Sequence, residues 1–201
     1  MSLAEHRRSR AAHRQRRVVF SFDLGDPATY LAAERVDRLD AAVAWQPVIA
    51  PALVRTTRAE ADRRAAELRL PLVWAGERPV SFPRAQRAAA FAAEHGRGGP
   101  FVLAASRLAF CGGFDLDDPE ILAEAAAASS VPLEPCLAAA ADAGRDAELE
   151  RCGRFLAAHG ADALPVLQVG RVLFAGERRL SDAAAALRDG AARAVRTPAF
   201  R

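Results

Sequence analysis

Two apolar runs flank a segment with helical spacing in the first fifty residues. Residues 18–24 are β-branched at the start and then alternate between apolar and polar positions, which predicts a strand. A helix is predicted next, because Asp26 is a good N-cap and Pro27 suits the first helical position. A second strand is predicted at 42–50. A helix that crosses over between the strands makes them parallel, so we expect a βαβ unit.

Residues 58–159 have apolar positions mainly at helical spacing. Helices are predicted at 58–68, 84–95, 101–110, 118–128 and 145–158. Clusters of Gly, Pro and Ser predict breaks at 96–100, 112–113 and 129–135. The middle of the chain is therefore expected to be a block of helices.

A hairpin and a final helix are predicted beyond this block. Residues 165–169 and 171–175 are apolar runs on either side of Gly170, a pattern typical of two antiparallel strands. The last helix is expected to begin at the N-cap Ser181 and to end near Gly190. The order βαβ, helices, ββα indicates an α/β fold.

Composition supports a folded, soluble protein. Of the 201 residues, 51% are hydrophobic and 26% are charged, and Arg, Asp or Glu interrupts every Ala-rich run. These values exclude a disordered chain, and the interruptions exclude a run of the roughly 18 apolar residues that suggests a membrane span. No apolar run of secretory length follows the start, so the cytoplasm is the expected compartment.

The first seventeen residues account for the net positive charge of the chain. Six Arg against one Glu give this segment +5, which leaves −2 for the rest of the chain within a total of +3. An Arg-rich arm can bind phosphate backbones, but this one has no aromatic residue to stack on a base. We expect residues 1–17 to be a disordered Arg-rich leader, and we expect no nucleic-acid partner.

The cysteines and histidines suggest no metal or dithiol centre. Cys111, Cys136 and Cys152 match neither the spacing of a zinc finger nor that of a Cys-x-x-Cys redox motif. The four His include no pair at i, i+4 that could hold a metal on one helix face. The three thiols are therefore predicted to be free or buried, and no metal is expected.

Segments at the junctions of these elements resemble one protein family. The segments are 22–32, 113–122, 163–166 and 173–180. They are similar to the DsbA-like group that includes 2-hydroxychromene-2-carboxylate isomerases and kappa-class glutathione transferases. The resemblance implies a thioredoxin-like fold with an inserted α-helical domain, and it also implies a homodimer.

The same resemblance implies a division of the chain into parts. Residues 18–57 and 145–195 would form the thioredoxin-like domain, and residues 58–144 would form the helical insertion. A ligand is then expected between these two parts, near the start of the first helix.

The family places its chemistry at the N-terminus of the first helix, where free N–H groups stabilise an anion. Disulfide oxidoreductases have Cys-Pro-x-Cys there, whereas this chain has Asp26, Pro27, Ala28 and Thr29, so dithiol exchange is not expected. The isomerases have a Ser before the Pro that helps hold the thiolate of glutathione. Asp26 replaces that Ser, and a carboxylate repels a thiolate.

Asp26 and Thr29 are the catalytic candidates, and Pro27 is a candidate ligand contact. Asp26 could act as a general base, or it could only cap its helix, since the same pair recurs at Asp118-Pro119 before another predicted helix. Thr29 is the nearest hydroxyl donor. The ring of Tyr30, the only Tyr, is expected to pack rather than to take part in chemistry.

Leu164, Pro165 and Val166 match the cis-proline segment of the family. That segment is expected to expose the backbone of Leu164 to a thiol substrate, which would bind like an added strand. A trans Pro that simply opens a strand is the alternative.

Residues 176–179 match the place where kappa enzymes hold the glutamyl end of glutathione with an Asp and an Arg. Arg179 matches the Arg, but Arg178 occupies the Asp position, so Glu177 is the candidate partner for the ammonium of the ligand. In the helical block, the isomerases' Phe-Pro-x-Asn appears with Ala85 in place of the Asn.

Two function classes follow. The first is an isomerase-like or transferase-like enzyme on a small aromatic or conjugated molecule, with glutathione or another low-molecular-weight thiol as a candidate cofactor. The second is a binding or scaffold protein that has kept the architecture without the chemistry. The substrate itself is left open.

Overall fold

The computed structural model describes residues 18–36, 38–39, 41–74, 76 and 81–196, with side chains to residue 189. The predicted leader at 1–17 lies outside the described residues. Four strands form one sheet: β1 (Val18–Phe22), β2 (Val43–Pro47), β3 (Val166–Val169) and β4 (Val172–Ala175), in the order β2-β1-β3-β4. β1 is parallel to β2 and antiparallel to β3, and β3 is antiparallel to β4. The predicted βαβ unit and the terminal hairpin are confirmed.

Eight α-helices lie within the described residues. They are α1 (Pro27–Val36), α2 (Arg58–Leu68), α3 (Pro83–Glu94), α4 (Gly98–Phe110), α5 (Pro119–Ala128), α6 (Leu133–Ala141), α7 (Asp146–Ala158) and α8 (Leu180–Arg196). Short 3-10 turns at Ala143–Arg145 and Glu177–Arg179 precede α7 and α8. Helices α2 to α7 all lie between β2 and β3 in the chain, as the predicted block of helices requires.

Helix α4 begins inside a predicted break, because two of its glycines serve packing rather than a turn. A Cβ on Gly98 would lie 2.7 Å from Trp45 Cβ, and one on Gly99 would lie 2.9 Å from Trp45 Nε1. A larger residue at either position would push the helix away from β2. Glycine here permits a close helix–strand approach, and the sequence pattern alone reads it as a helix breaker.

The sequence pattern does not predict helix α6, because Pro132 and Pro135 lie in the segment 129–135, where it predicts a break. Pro135 lies in the first turn of α6, where a missing backbone N–H costs no intrahelical hydrogen bond. Both predicted bounds of the last helix were also wrong. Helix α8 starts at Leu180 and continues past Gly190 to Arg196. Ser181 lies within the helix, and its hydroxyl donates to the carbonyl of Arg178 at 3.2 Å.

Two groups of buried apolar side chains hold the molecule together. The larger one packs the sheet against α1, α3 and α4, and Phe20 and Phe22 meet the ring of Trp45 edge-on within it. The smaller one comprises Val48, Leu53, Leu156, Ala161, Leu164 and Val166. It joins the chain after β2 to the segment that enters β3. Those two segments frame the candidate site.

Candidate functional site

Asp26 caps the first helix, as the sequence predicts. The side chain is fully buried, and its Oδ1 accepts a hydrogen bond of 2.9 Å from the backbone N–H of Ala28. Pro27 occupies the first helical position, so the cap satisfies the first N–H that needs an external partner.

The second oxygen of Asp26 has a partner that the sequence does not suggest. Oδ2 accepts a hydrogen bond of 3.1 Å from the backbone N–H of Thr56, which lies 30 positions further along the chain. Burial raises the pKa of Asp26 from 3.8 to about 6, while the bonds from Ala28 and Thr56 and the charge of Arg55 oppose the rise. The carboxyl therefore titrates near neutral pH but has no exposed surface for a ligand to touch.

Thr29 and Tyr30 follow in the helix, and both are enclosed. The hydroxyl of Thr29 is buried and has no hydrogen-bond partner among the described residues. The ring of Tyr30 stacks on Phe110, and its hydroxyl accepts a hydrogen bond of 3.2 Å from Cys111 Sγ. The expectation that Tyr30 packs is confirmed, and Thr29 lies one turn inside the helix without reaching an opening.

The peptide bond between Leu164 and Pro165 is cis, as the resemblance implies. The N–H of Leu164, one of the two backbone groups that an added strand would use, already has a partner in the chain. This N–H donates to the carbonyl of Val54 at 3.4 Å, and the N–H of Val54 donates to the carbonyl of Asp162 at 2.8 Å. The carbonyl of Pro165 is also occupied, by the N–H of Gly176 at 2.8 Å. The chain's own backbone thus covers this edge.

A cleft of about 270 Å³ opens beside the start of α1. Its walls come from α1, α2, the chain after β2, the segment before β3 and the turn after β4. The lining residues are Ala28, Leu31, Val54, Arg55, Thr56, Glu60, Arg63, Arg64, Ala163, Leu164, Gly176, Glu177 and Arg178. Four of them are Arg and two are Glu, so the formal charge of the lining is +2. This excess of guanidinium groups favours an anionic ligand, although just outside the lining Asp23 pairs with Arg55, and Glu67 pairs with Arg64 and Arg178.

Glu177 lies in this cleft but is not available to a ligand's ammonium. It is almost fully buried and forms ion pairs with Arg35 from α1 and Arg64 from α2. The hydrogen bond between Arg64 and Glu177 is the main reason why the pKa of Arg64 is raised above its ordinary value. Two guanidinium groups therefore neutralise this carboxylate, which contradicts its expected role.

The two neighbouring arginines are placed the other way round from the expectation. Arg178 lines the cleft, with its Nη2 3.5 Å from the carboxylate of Glu67. Arg179 is outside the lining, where it pairs with Asp182 at 2.6 Å and lies over the ring of Phe174. Arg178, rather than Arg179, therefore contributes a positive charge to the cleft.

The other candidates lie around the cleft rather than in it. Leu164 contributes to its wall, whereas Pro27, Pro165 and Val166 are buried behind that wall. Ala85 is fully buried, and its backbone N–H donates to the carboxylate of Asp117, which in this way caps the start of α3. No side chain at position 85 reaches toward the cleft.

Gln86 is a site residue that sequence reasoning missed. Its Oε1 accepts from the N–H of Leu24 at 3.0 Å, and its Nε2 donates to the carbonyls of Phe22 and Val48 at 2.7 and 2.9 Å. A buried Gln with three backbone partners fixes the loop between β1 and α1 against the chain after β2. An isolated Gln in an Ala-rich helix is the only sequence feature that points to it.

Comparison with solved structures bears on the fold. The structure of a 2-hydroxychromene-2-carboxylate isomerase aligns with a TM-score of 0.75 at 13% identity, over 90% of this chain and 99% of that one. A "probable DsbA oxidoreductase" from Streptomyces coelicolor gives 0.68 at 20% identity, over 92% and 93% of the two chains. The protein has a DsbA-like thioredoxin fold.

A thioredoxin-like oxidoreductase from Silicibacter pomeroyi aligns more loosely to this DsbA-like chain, with a TM-score of 0.53 at 17% identity over 87% of each chain. No family model and no curated relative matches the sequence. At these identities the comparisons establish the fold, and the chemistry must be argued from the residues of the cleft.

Two further observations concern the described residues. Their side chains form no group of three or more His, Cys, Asp or Glu that could hold a metal ion. None of the helices in the described part of the chain is long and apolar enough to cross a membrane.

Proposed function

We propose that this DsbA-like protein is an isomerase-like or transferase-like enzyme that acts on a small aromatic or conjugated carboxylate. The observation that carries the proposal is the charge of the cleft, which has four Arg against two Glu beside the start of α1. Guanidinium groups bind carboxylates in a planar, charge-assisted geometry. The same groups stabilise negative charge that develops on a conjugated system during isomerisation.

The size of the cleft supports a small ligand. A volume of about 270 Å³ lies just below the range of roughly 300–1,000 Å³ that is typical of small-molecule sites. Ala28, Leu31, Val54 and Leu164 supply apolar wall for a ring, and the Arg side chains surround it with charge. A planar carboxylate of one or two rings matches this combination.

A low-molecular-weight thiol is proposed as a co-substrate with one restriction. The carboxylates of such a thiol suit Arg63 and Arg178, but an ammonium group meets no free partner at Glu177, because Arg35 and Arg64 neutralise it. We therefore expect mercaptosuccinate, which has two carboxylates and no ammonium, to bind more tightly than glutathione. Calorimetric titration of both thiols into one preparation tests this, and tighter binding of glutathione would refute it.

A stable conjugated carboxylate tests the ligand class directly. Coumarin-3-carboxylate should bind in calorimetry, and neutral coumarin should bind at least tenfold more weakly, because one charge-assisted contact is worth about 1.5–3 kcal/mol. Equal affinities for the two would show that the arginines do not recognise the ligand.

Adjacent arginines provide a matched pair of variants. Arg178→Ala removes a charge from the cleft lining, and Arg179→Ala removes the same charge one residue away, outside the lining. We expect Arg178→Ala to weaken coumarin-3-carboxylate binding about tenfold and Arg179→Ala to leave it within twofold. Equal effects would mean that only the overall charge matters.

A binding protein without catalysis is the second candidate, and one observation favours it. Asp26 and Thr29, the two catalytic candidates, are both fully enclosed. Spectroscopic measurement of 2-hydroxychromene-2-carboxylate isomerisation, with and without added thiol, separates the two classes. Turnover above the uncatalysed rate supports an enzyme, whereas saturable binding without turnover supports the binding protein.

We also propose a homodimer, because the sequence resembles a family whose members are dimers. Light scattering after gel filtration at micromolar concentration should give twice the 21.4 kDa mass of one chain. A mass of one chain under those conditions would refute the dimer without affecting the proposed ligand.

A further inference from the structure

The chain between β2 and α2 crosses the edge that lies just before the cis peptide. Val54 forms a parallel bridge with Ala163, through one hydrogen bond to Asp162 and one from Leu164. The N–H and C=O of alternate residues in an extended chain face the same side, so Asp162 and Leu164 present their groups to one edge. Val54 occupies that edge, where an added strand would have to pair.

Side chains anchor this covering segment, residues 53–57, at both of its ends but not in the middle. At one end, the side chain of Leu53 is buried beside Leu164 and Leu156. At the other end, Thr57 caps α2 through a capping box with Glu60. The side chain of Val54 between them is 67% exposed. Backbone hydrogen bonds therefore hold the centre of the segment in place.

Asp26 supplies one of those bonds, from the N–H of Thr56 to its Oδ2 at 3.1 Å. Thr56 is two residues after Val54, so this bond fixes the segment directly beyond the bridge. Because Asp26 is fully buried, the acceptor end of this part-buried bond is shielded from water. A Ser at this position has one oxygen instead of two, so it would be unable to cap α1 and hold Thr56 with separate acceptors.

We infer that Asp26 is a positioning and specificity-determining residue, which fastens residues 53–57 across the Leu164 edge and so excludes extended polypeptides from the site. The closure leaves the Arg-lined cleft as the route for small molecules. The closure follows from the hydrogen bonds alone, and only the identity of the admitted ligand rests on the proposed function.

The second Asp-Pro pair of the chain provides the control. Asp118 caps α5 with its Oδ1, which accepts from the N–H of Glu120 at 2.8 Å, and Pro119 follows at the first helical position. Within the described residues, no distant backbone group donates to the Asp118 carboxylate. Asp26→Ala and Asp118→Ala therefore each remove the N-cap of one helix, but only Asp26→Ala also removes the acceptor for the N–H of Thr56.

Amide hydrogen exchange tests whether Asp26 holds residues 53–57 in place. We expect the N–H groups of Val54, Thr56 and Leu164 to exchange at least tenfold faster in Asp26→Ala than in the wild type. In Asp118→Ala, the same three groups should keep their wild-type rates. Equal acceleration in both variants would show a general loss of stability, and unchanged rates in Asp26→Ala would show that the carboxylate does not hold the segment; either result overturns the inference.

Peptide binding tests whether residues 53–57 exclude extended polypeptides from the site. The probe is a fluorescein-labelled peptide of sequence Ser-Val-Ala-Thr-Ser-Val-Ser, followed by fluorescence anisotropy. Thr56→Pro is the second variant, because it removes the donor N–H and leaves Asp26 free to cap α1. The peptide should bind Asp26→Ala or Thr56→Pro at least tenfold more tightly than the wild type or Asp118→Ala. Equal binding by all four proteins, or binding by none, would overturn the exclusion.

Titrating coumarin-3-carboxylate into the same four proteins separates the two proposals. Failure of this carboxylate to bind the wild type would refute the proposed ligand class while leaving the exchange and peptide results to decide the closure. Binding of the carboxylate together with wild-type peptide binding would refute the closure and leave the proposed function intact.

Discussion

Arg64 donates two hydrogen bonds to the carboxylate of Glu177, from Nε to Oε2 at 2.6 Å and from Nη2 to Oε1 at 3.1 Å. Arg35 pairs with the same carboxylate from the opposite helix. The three side chains tie α1 and α2 to the turn after β4 at the floor of the cleft. Glu177 is therefore part of the support for the arginines rather than a contact for a cationic ligand.

Glu177→Gln should destabilise the protein strongly. The amide keeps the shape of the side chain but removes the buried counter-charge of both Arg35 and Arg64, and Arg64 then keeps only the exposed Glu67, which costs about 3 kcal/mol. Urea unfolding at pH 7 measures the loss. Glu67→Gln is the control, because Glu67 also pairs with Arg64 but is exposed to solvent, so little change is expected. Equal losses in the two variants would contradict the buried role of Glu177.

Asp26 should contribute a loss of stability as pH rises from 4 to 6. Its pKa is raised from 3.8 to about 6, chiefly by burial, so the folded state binds a proton more tightly than the unfolded state in this window. Two pKa units correspond to about 3 kcal/mol, lost by pH 6 and constant above it.

Asp26→Asn isolates this contribution, because it cannot ionise and still offers an oxygen to the helix N-terminus. The difference in unfolding free energy between Asp26→Asn and the wild type should shift by about 2 kcal/mol in favour of the variant between pH 4 and pH 6.5. Urea unfolding at four pH values measures it. A difference that does not change with pH would mean that the carboxyl keeps an ordinary pKa.

Gln86→Leu should destabilise the protein by about 3 kcal/mol, although Leu fits a helix well. The change removes three hydrogen bonds and leaves the buried N–H of Leu24 without an acceptor. Gln168→Leu is a suitable control, because Gln168 makes one exposed bond to the carbonyl of Gly170. A loss no larger than that of the control, measured by thermal unfolding, would show that Gln86 does not fix the β1–α1 loop.

The local features of the site could be predicted from the sequence. The Asp26 cap depends on residues within three positions of one another, and the cis proline lies in a short segment with a recognisable pattern. The order of strands and helices also follows from periodicity, so the thioredoxin fold was within reach. Gly98 shows the limit even for helices, because its function depends on Trp45, which is far away in the sequence.

The cleft itself could not be predicted in the same way. Arg64 and Glu177 are 113 positions apart, and only folding decides that Glu177 is neutralised and that Arg178 rather than Arg179 faces a ligand. The bond from Thr56 to Asp26 has the same character, since no local pattern marks an N–H that must find a partner 30 residues away. Side-chain roles that depend on such pairings need the structure.

The protein should have no disulfide reductase activity. The attacking species in dithiol exchange is a thiolate, and the start of α1 has Asp26 and Thr29 where that chemistry needs two sulfurs. Burial raises the pKa of Cys136 to about 11 and also raises the pKa of Cys152, so neither thiol ionises readily near pH 7. In an insulin-reduction assay with dithiothreitol, the rate should equal that of dithiothreitol alone. A faster rate that is lost when Cys111, Cys136 and Cys152 are replaced by Ser would show that one of these thiols exchanges disulfides, and would contradict the prediction.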